Sequence, residues 1–398
     1  MKRKFTIIIP TKDRAETLQW TLTSCLAIQY PDFEIVISDN CSEDDTYEVV
    51  HSFKDERIKY YRTPGKLGMT ANWEFALSKV NSGMVTILGD DDAFLPDSLL
   101  RINDLLNQYQ TDAISWQQSF YRWPNNNFVK IKNLLSIPNA NGIELRKTKD
   151  VLEEVLNLKK YPGDLPWLYA GFVNIDTIRN IQNKSGGVFF HSKIPDIYSA
   201  MVLSSAMEEY VYSHQPLSIA GHSAKSNGAA QIQNKEEFKE QNNAFIKESE
   251  SHPFHSALEF VHVYPVLVWE TYLQAKDQGV MRSDVHIHPQ FLLDRAVKDC
   301  IRLDFLERDI EKLKSIALKQ NVKLNIPVYS PFIKLQKKFL NGLNYLKIWT
   351  NNVFIPCGRY NISNVHEASL QYRNFESKAS SRPGILFHNI KLLLNLSK

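Results

Sequence analysis

Cysteine is scarce in this 398-residue chain: Cys25, Cys41, Cys300 and Cys357 stand far apart and form no CxxC pair. That spacing excludes a disulfide framework and a thiolate zinc site, and it suits a reducing compartment. Long apolar runs are missing as well. The longest candidate, 260–272, is cut by His262, Pro265 and Glu270, so no run approaches the ~20 residues of a membrane span. At the N-terminus, Lys2, Arg3 and Lys4 precede a short apolar run that stops at Pro10. It is too short for the apolar part of a signal peptide and reads as a first strand. No GxGxxG follows that strand, which excludes a dinucleotide oxidoreductase. A Gly-rich basic loop is absent there too; the chain reads Pro10-Thr-Lys-Asp-Arg14, which argues against a nucleotidyltransferase. The expected location is cytoplasmic, either soluble or peripheral on the inner face of the membrane.

A surplus of charge is also missing, since the net charge is only +3. The sum hides an asymmetry. Residues 331–398 hold ten Lys/Arg against two Glu, a balance of +8 that leaves −5 on the rest. A basic tail on a mildly acidic body suggests contact with an anionic surface; a solvated basic helical tail is the plainer reading. What the chain does have is core material, with 43% apolar and 11% aromatic residues. Its length predicts one large domain with an accessory part.

Over the first 110 residues the hydrophobic period alternates. Segments 5–10, 34–39, 58–62 and 84–88 read as strands, and 14–28, 44–53 and 70–79 as helices. Leu18, Leu22, Cys25 and Leu26, for example, fall at helical spacing. Strands alternating with helices predict βαβ units and a mainly parallel sheet, so the fold class is α/β. From 111 to 230 the pattern is mixed, with strands expected at 113–120, 128–131 and 167–174 and helices at 149–158 and 195–207. Pro195 and Asp196 suit a helix start. A small-residue loop covers 225–230, a polar linker or exposed helix 231–251, and helical patterns dominate 255–320. Near the end, Phe332, Leu335, Phe339, Leu343 and Leu346 are spaced for a helix, with Lys334, Lys337, Lys338 and Lys347 between them. This segment and the apolar 385–396 either lie in a membrane interface or pack on the main domain.

Three consecutive aspartates, Asp90, Asp91 and Asp92, follow the strand at 84–88. Like charges so close repel by about 1 kcal/mol in water and several-fold more in a drier site. A hard divalent cation with oxygen ligands compensates them and brings phosphate with it; a solvated Asp-rich turn is the alternative. Ligands of such sheets bind beyond the strand C-termini, near the switch in strand order. Thr11 to Arg14, Asp39 with Asn40, and the triplet all sit at those ends, which favours a ligand crevice over a solvated turn.

With these residues in place, the chain resembles a family 2 glycosyltransferase of the GT-A fold, of the bacterial surface-polysaccharide type. The resemblance rests on Thr6-Ile-Ile-Ile-Pro-Thr-Lys-Asp-Arg14, Ile35-Val-Ile-Ser-Asp-Asn-Cys-Ser42, Gly68-Met-Thr-Ala-Asn-Trp73 and Ile87-Leu-Gly-Asp-Asp-Asp92, and covers about 4–230. It implies a GT-A domain over 1–230 with a mainly parallel central sheet, split into a donor half (about 1–110) and an acceptor half (111–230). A helical extension over 231–330 and the basic amphipathic segment 331–398 complete the expected layout. The implied activity is metal-dependent, inverting transfer from a nucleotide-diphosphate sugar, here a UDP-sugar, to a hydroxyl of a glycan or lipid-linked saccharide. The implied cofactor is Mn²⁺ or Mg²⁺, and the partners include an anionic membrane reached through 331–398 but no nucleic acid.

The resemblance also distributes roles. Pro10, Thr11 and Arg14 would line the base and ribose, and Asp39 would accept a hydrogen bond from the base, with Asn40 and Ser42 beside it. Lys66 and Asn72 belong to a segment flanking ribose and sugar. Asp90 and Asp91 would face ribose and donor sugar, and Asp92 would coordinate the metal. Asp196, at a helix start in the acceptor half, would be the general base, with Asp164, Glu208 and Glu209 as rivals. Its place at a helix N-terminus predicts a stabilised and therefore weak base. In Gly221-His-Ser-Ala-Lys-Ser-Asn-Gly228, His222 would reach the metal, while Lys225, Ser226 and Asn227 would donate to phosphate. A non-catalytic nucleotide- or glycan-binding scaffold recruited by the basic tail is the competing reading.

Overall fold

The computed structural model describes residues 2–127, 129, 131–225, 251–327, 348–377 and 389. The N-terminal part alternates as its hydrophobic period requires: β1 (Phe5–Thr11), α1 (Ala15–Leu26), β2 (Phe33–Asp39), α2 (Thr46–Ser52), β3 (Ile58–Arg62), α3 (Met69–Leu77) and β4 (Met84–Ile87). Next come β5 (Ala93–Phe94), α4 (Ser98–Tyr109), β6 (Ala113–Trp116), β7 (Ser119–Arg122), β8 (Leu134–Pro138), β9 (Ile143–Lys147) and α5 (Thr148–Leu156). Then follow β10 (Gly171–Asn174), α6 (Ile175–Lys184), α7 (Pro195–Ala206), β11 (Glu209–Ser213) and β12 (Ser218–His222). Helices α8 (Tyr264–Asp277), α9 (Pro289–Arg302) and α10 (Leu306–Lys319) precede β13 (Asn352–Pro356) and α11 (Val365–Glu376).

An eight-stranded sheet in the order β3-β2-β1-β4-β10-β6-β11-β9 forms the centre, so the α/β class expected from the sequence is what the chain adopts. Strands β3, β2, β1 and β4 run parallel, and β10 enters antiparallel to both β4 and β6. Parallel strands are covered on both faces and read as continuous apolar runs; β1 is buried at every position except Pro10. The chain moves outward from β1 to β3 and returns on the other side of β1 as β4. That reversal opens a crevice at the C-terminal ends of β1, β2 and β4, with Thr11 in register with Asp39 and Ile8 with Ile87.

A second sheet, β13-β8-β7-β12-β5, lies over this crevice end. Its strand β12 pairs with β5 directly after the aspartate triplet, Ile219 opposite Ala93. Large apolar clusters fill both faces of the main sheet, another lies against the second sheet, and a fourth joins α8, α9 and α10.

Three expectations change. The strand expected at 113–120 is two strands in different sheets, β6 and β7, because the chain changes sheet at Gln117 and Gln118. In place of a strand at 128–131, the strand is β8, and Phe128 and Lys130 lie outside the described residues. Only the end of 167–174 is strand, since Ala170 takes a left-handed backbone with φ +60° just before β10. The two C-terminal amphipathic candidates, 332–346 and 385–396, lie outside the described residues apart from Asn389. Between them, β13 pairs with β8, and α11 lies on α1 and ties Arg373 to Asp97 at 3.1 Å.

Tyr372 of α11 is fully buried in the cluster against the second sheet, and its hydroxyl meets that of Ser119 on β7. Tyr372→Ala should cost about 3–5 kcal/mol of folding stability. Denaturant unfolding measures this directly, and an unchanged midpoint would show that α11 is not seated on the sheet.

Candidate active site

The aspartate triplet is buried, with Asp90 and Asp91 each 5% and Asp92 2% exposed. Asp92 accepts three hydrogen bonds from protein donors. Its Oδ1 accepts the Gly221 N–H at 2.7 Å, and its Oδ2 accepts the Gly89 N–H at 3.0 Å and the Tyr169 phenol at 2.7 Å. One carboxylate thereby joins the end of β4, strand β12 and the segment before β10. The two glycines make this possible. A Cβ on Gly221 would fall 1.8 Å from the Asp91 carbonyl oxygen, and one on Gly89 would lie 2.8 Å from Asp92 Oδ2. Beside the metal role expected of it, Asp92 thus has a structural one: three of its acceptor directions are turned onto the fold.

Asp90 faces the β1 side. Its Oδ2 accepts Thr11 Oγ1 at 2.7 Å, and its Oδ1 accepts Arg14 Nη1 at 2.9 Å; Asp91 Oδ2 lies 3.8 Å from the same guanidinium nitrogen. Asp91 Oδ2 also accepts the Ser223 hydroxyl at 2.6 Å, and the Asp91 carbonyl accepts the Trp123 indole N–H at 3.0 Å. Arg14 is thus the guanidinium set beside two of the three buried carboxylates. Burial, with Asp91 alongside, pushes Asp92 up to about 7 and raises Asp90 despite Arg14. These shifts record negative charge that the described protein groups do not fully compensate.

The loops after β1 and β2 are stitched together. Asp13, with φ +52°, donates its N–H to Ser42 Oγ at 2.9 Å and accepts the Glu43 N–H at 2.7 Å. Asp39 is fully buried; its Oδ1 accepts the Ser42 N–H at 2.8 Å, and its Oδ2 accepts the Tyr60 phenol at 2.5 Å and Arg62 Nη1 at 3.1 Å. Asn40 staples the loop before α3, donating to and accepting from the Leu67 backbone at 2.7 Å each way. Asn72 accepts from Ser38 at 2.5 Å, and Lys66 pairs with Glu43 at 2.6 Å on the surface. Pro10, the one position of β1 that is not buried, lies in register with Ser38. Lys225 donates to the Asp13 carbonyl while its own carbonyl accepts from Arg14, so the loop after β12 closes on the loop after β1. Ser226 and Asn227 lie outside the described residues.

Asp196 forms the opposite wall. It is the second residue of α7, and its carboxylate accepts the Ile197 N–H at 2.8 Å. Burial raises its pKa, overriding the backbone N–H groups that pull it down. Against the expectation of a lowered carboxyl, burial outweighs the helix terminus here. Burial, then Asp92 and Asp91, then Asp196 push the Tyr169 phenol well up, so Asp196 and the triplet act on the same ring. Trp73 stacks on Tyr169 with 8° between planes, and Trp167 meets it edge-on at 5.7 Å. The rivals lie elsewhere. Asp164 pairs with Arg146 at 3.3 Å, and Glu208 is 85% exposed beside Arg282. Glu209 is exposed at the start of β11.

His222, at the end of β12, stands against Phe120 with ring centroids 5.3 Å apart. Burial lowers its pKa, with the Asp91 charge opposing and Arg122 assisting. A neutral imidazole next to Asp91 is a suitable metal donor. Among the described residues no three His, Cys, Asp or Glu form a ready cage. Mg²⁺ commonly takes only one or two carboxylates together with substrate phosphates. The buried oxygen donors and their surplus negative charge fit such a cation. Sequence reasoning missed Tyr169 and Ser223. Ser223 falls inside the glycine-bounded segment already singled out, whereas nothing in the local pattern marks Tyr169.

Residues 6–160 match the model of Glycosyl transferase family 2. The chain is 33% identical over 108 residues to a GalNAc(5)-diNAcBac-PP-undecaprenol beta-1,3-glucosyltransferase of Campylobacter jejuni, covering 26% of this chain and 35% of that one. It is 26% identical over 115 residues to the Escherichia coli UDP-Glc:alpha-D-GlcNAc-diphosphoundecaprenol beta-1,3-glucosyltransferase WfaP, covering 29% and 45%. The chain thus spans less than half the length of either relative. The crystal structure of S. aureus TarS 1-349 in complex with UDP is 13% identical, covers 82% of this chain and 94% of that one, and gives a TM-score of 0.45. That likeness is too weak to carry a function.

Gly221→Ala should force β12 away from Asp91 and break the Asp92 bond, costing about 1–3 kcal/mol through overpacking. A melting curve that matches the parent protein would show that the close approach is not required.

Proposed function

We propose that this chain, whose residues 6–160 match the model of Glycosyl transferase family 2, transfers a sugar from a nucleotide diphosphate, UDP, to a hydroxyl of a lipid-linked saccharide, with inversion. The observation that carries this reading is the convergence of Thr11, Arg14, Asp90 and Asp91 in one crevice whose far wall holds Asp196. Relatives named for undecaprenol-diphosphate acceptors support the acceptor class.

In this reading the base and ribose lie over the ends of β1 and β2, along Pro10, Thr11 and the Asp39–Asn40 turn. Asp39 already accepts from three groups, which leaves about one of a carboxylate's four acceptor directions for a ring N–H. Asp90 is held by Thr11 and Arg14 at the height of the ribose and sugar. Asn40 and Asn72 act by holding the loop before α3. Asp91 and His222 would hold Mn²⁺ or Mg²⁺ together with phosphate oxygens and water. Bound there, the cation would neutralise the charge of the departing diphosphate.

Asp196 takes the proton of the acceptor hydroxyl as its oxygen attacks the anomeric carbon. The bond to the diphosphate oxygen breaks on the opposite face, and the electron pair leaves with the nucleoside diphosphate. A base works best when its pKa approaches the operating pH, and burial moves Asp196 in that direction. Trp73, Tyr169 and Trp167 form an apolar wall that keeps water from competing with the acceptor. Contact with anionic lipid is assigned to 331–398 on its charge alone.

Asp91→Asn should lower turnover by about 10²–10³-fold, the scale of losing one charge-stabilising group. Assaying labelled nucleotide-sugar transfer across a cation titration tests this, and parent-like turnover in chelator would overturn the metal reading. Asp196→Asn should keep donor affinity by calorimetry and lose about 10²–10⁴-fold in turnover. Since the base must be ionised and its pKa is raised, turnover of the parent should fall with decreasing pH at a value above the ordinary carboxylate value of about 4. The Asn variant should lack that limb; a limb at or below pH 4 in the parent rejects the assignment.

A further inference from the structure

Glu270, in the middle of α8, is 0% exposed and lies outside the crevice. Burial raises its carboxyl, and its charged neighbour among the described residues is His255, itself paired with Asp277 at 2.9 Å. A buried carboxylate without a close guanidinium or ammonium is costly unless hydrogen bonds compensate it. Here they come from three directions. Ser192 Oγ donates at 2.6 Å, Gln274 Nε2 donates at 2.9 Å, and the His255 backbone N–H adds a third.

Ser192 is the telling partner. Its Oγ also accepts the Ile194 N–H at 3.1 Å, and its carbonyl accepts Thr70 Oγ1 of α3 at 2.9 Å. Ile194 caps α7 and its carbonyl accepts the Tyr198 N–H at 3.0 Å, which closes the first helical turn around Asp196. A continuous set of hydrogen bonds therefore runs from α8 through Glu270 and Ser192 to the start of α7, with α3 of the donor half attached to it.

We propose that Glu270 is a positioning residue for the transfer reaction: it fixes Ser192, and Ser192 fixes the first turn of α7 that carries Asp196. The helical region beyond residue 251 is then part of the catalytic apparatus, although it lies outside the segment matched by the family. This rests on the reading of Asp196 as base. The charge on Glu270 is not itself used in the reaction; its hydrogen bonds set the angle at which α7 begins.

The test uses Glu270→Leu, which removes the buried charge while keeping volume, and Ser192→Ala, a milder change that reports if the first variant fails to fold. Both are compared with Asp196→Asn in the full chain. Hydrogen exchange of the amides at 194–199 should speed up by about tenfold, as expected when a local hold is released. Turnover should fall by about 10–100-fold, the scale of a misplacement near 1 Å, while the donor KM stays within twofold. Unchanged exchange at 194–199 in Ser192→Ala overturns the proposal. So does faster exchange with parent-like kcat, or equal losses in kcat and donor affinity, which mark a merely structural role. Near-normal turnover in Asp196→Asn overturns the base reading separately, and the exchange data still report whether Glu270 and Ser192 hold α7.

Discussion

The rest of the site depends on the three hydrogen bonds accepted by the Asp92 carboxylate. They bring the end of β4, the close-packed strand β12 and the phenol of Tyr169 to one point. Charge-assisted bonds to a carboxylate are stronger than neutral ones, and here two of the three donors are backbone amides of glycines. Without that knot β12 would have no reason to approach the Asp91 carbonyl so closely. His222 and Ser223 would then not face the crevice. Asp92, expected from the sequence as a metal ligand, also builds the frame around the other two.

Charge imbalance is the second constraint. Asp90 and Asp91 share Arg14, and both Asp90 and Asp92 are pushed up by burial and by Asp91. Burial also raises the pKa of Asp196, against the pull of the helix N-terminus. The triplet and Asp196 both act on the Tyr169 phenol.

Much of the first 110 residues was legible in the sequence. The apolar period located β1, β2, β3 and β4 to within a residue or two, because strands buried on both faces need continuous apolar runs. The position of Thr11, Arg14, Asp39 and the triplet at strand ends followed from parallel topology alone. Residues 111–230 were less legible. Strands β6 and β7 are adjacent in sequence and belong to different sheets, and Ala170 bends the chain where its apolar pattern reads as strand. Short strands whose partners lie far along the chain leave little local pattern. β13, for instance, pairs with β8 across more than two hundred residues.

The sequence by itself determined the fold class, the crevice and the residue types in it. Hydrophobic period and the position of polar residues at strand ends are local properties, and they suffice for that. Only the tertiary structure decided which donors each of the three aspartates meets. It also decided that Asp196 is raised rather than lowered, and that a buried glutamate in α8 reaches the start of α7 through Ser192. Those outcomes depend on which donors surround each carboxylate and how much water is excluded. Both are set by segments such as β12, the Tyr169 turn and α8, which meet the aspartates only once the chain is folded.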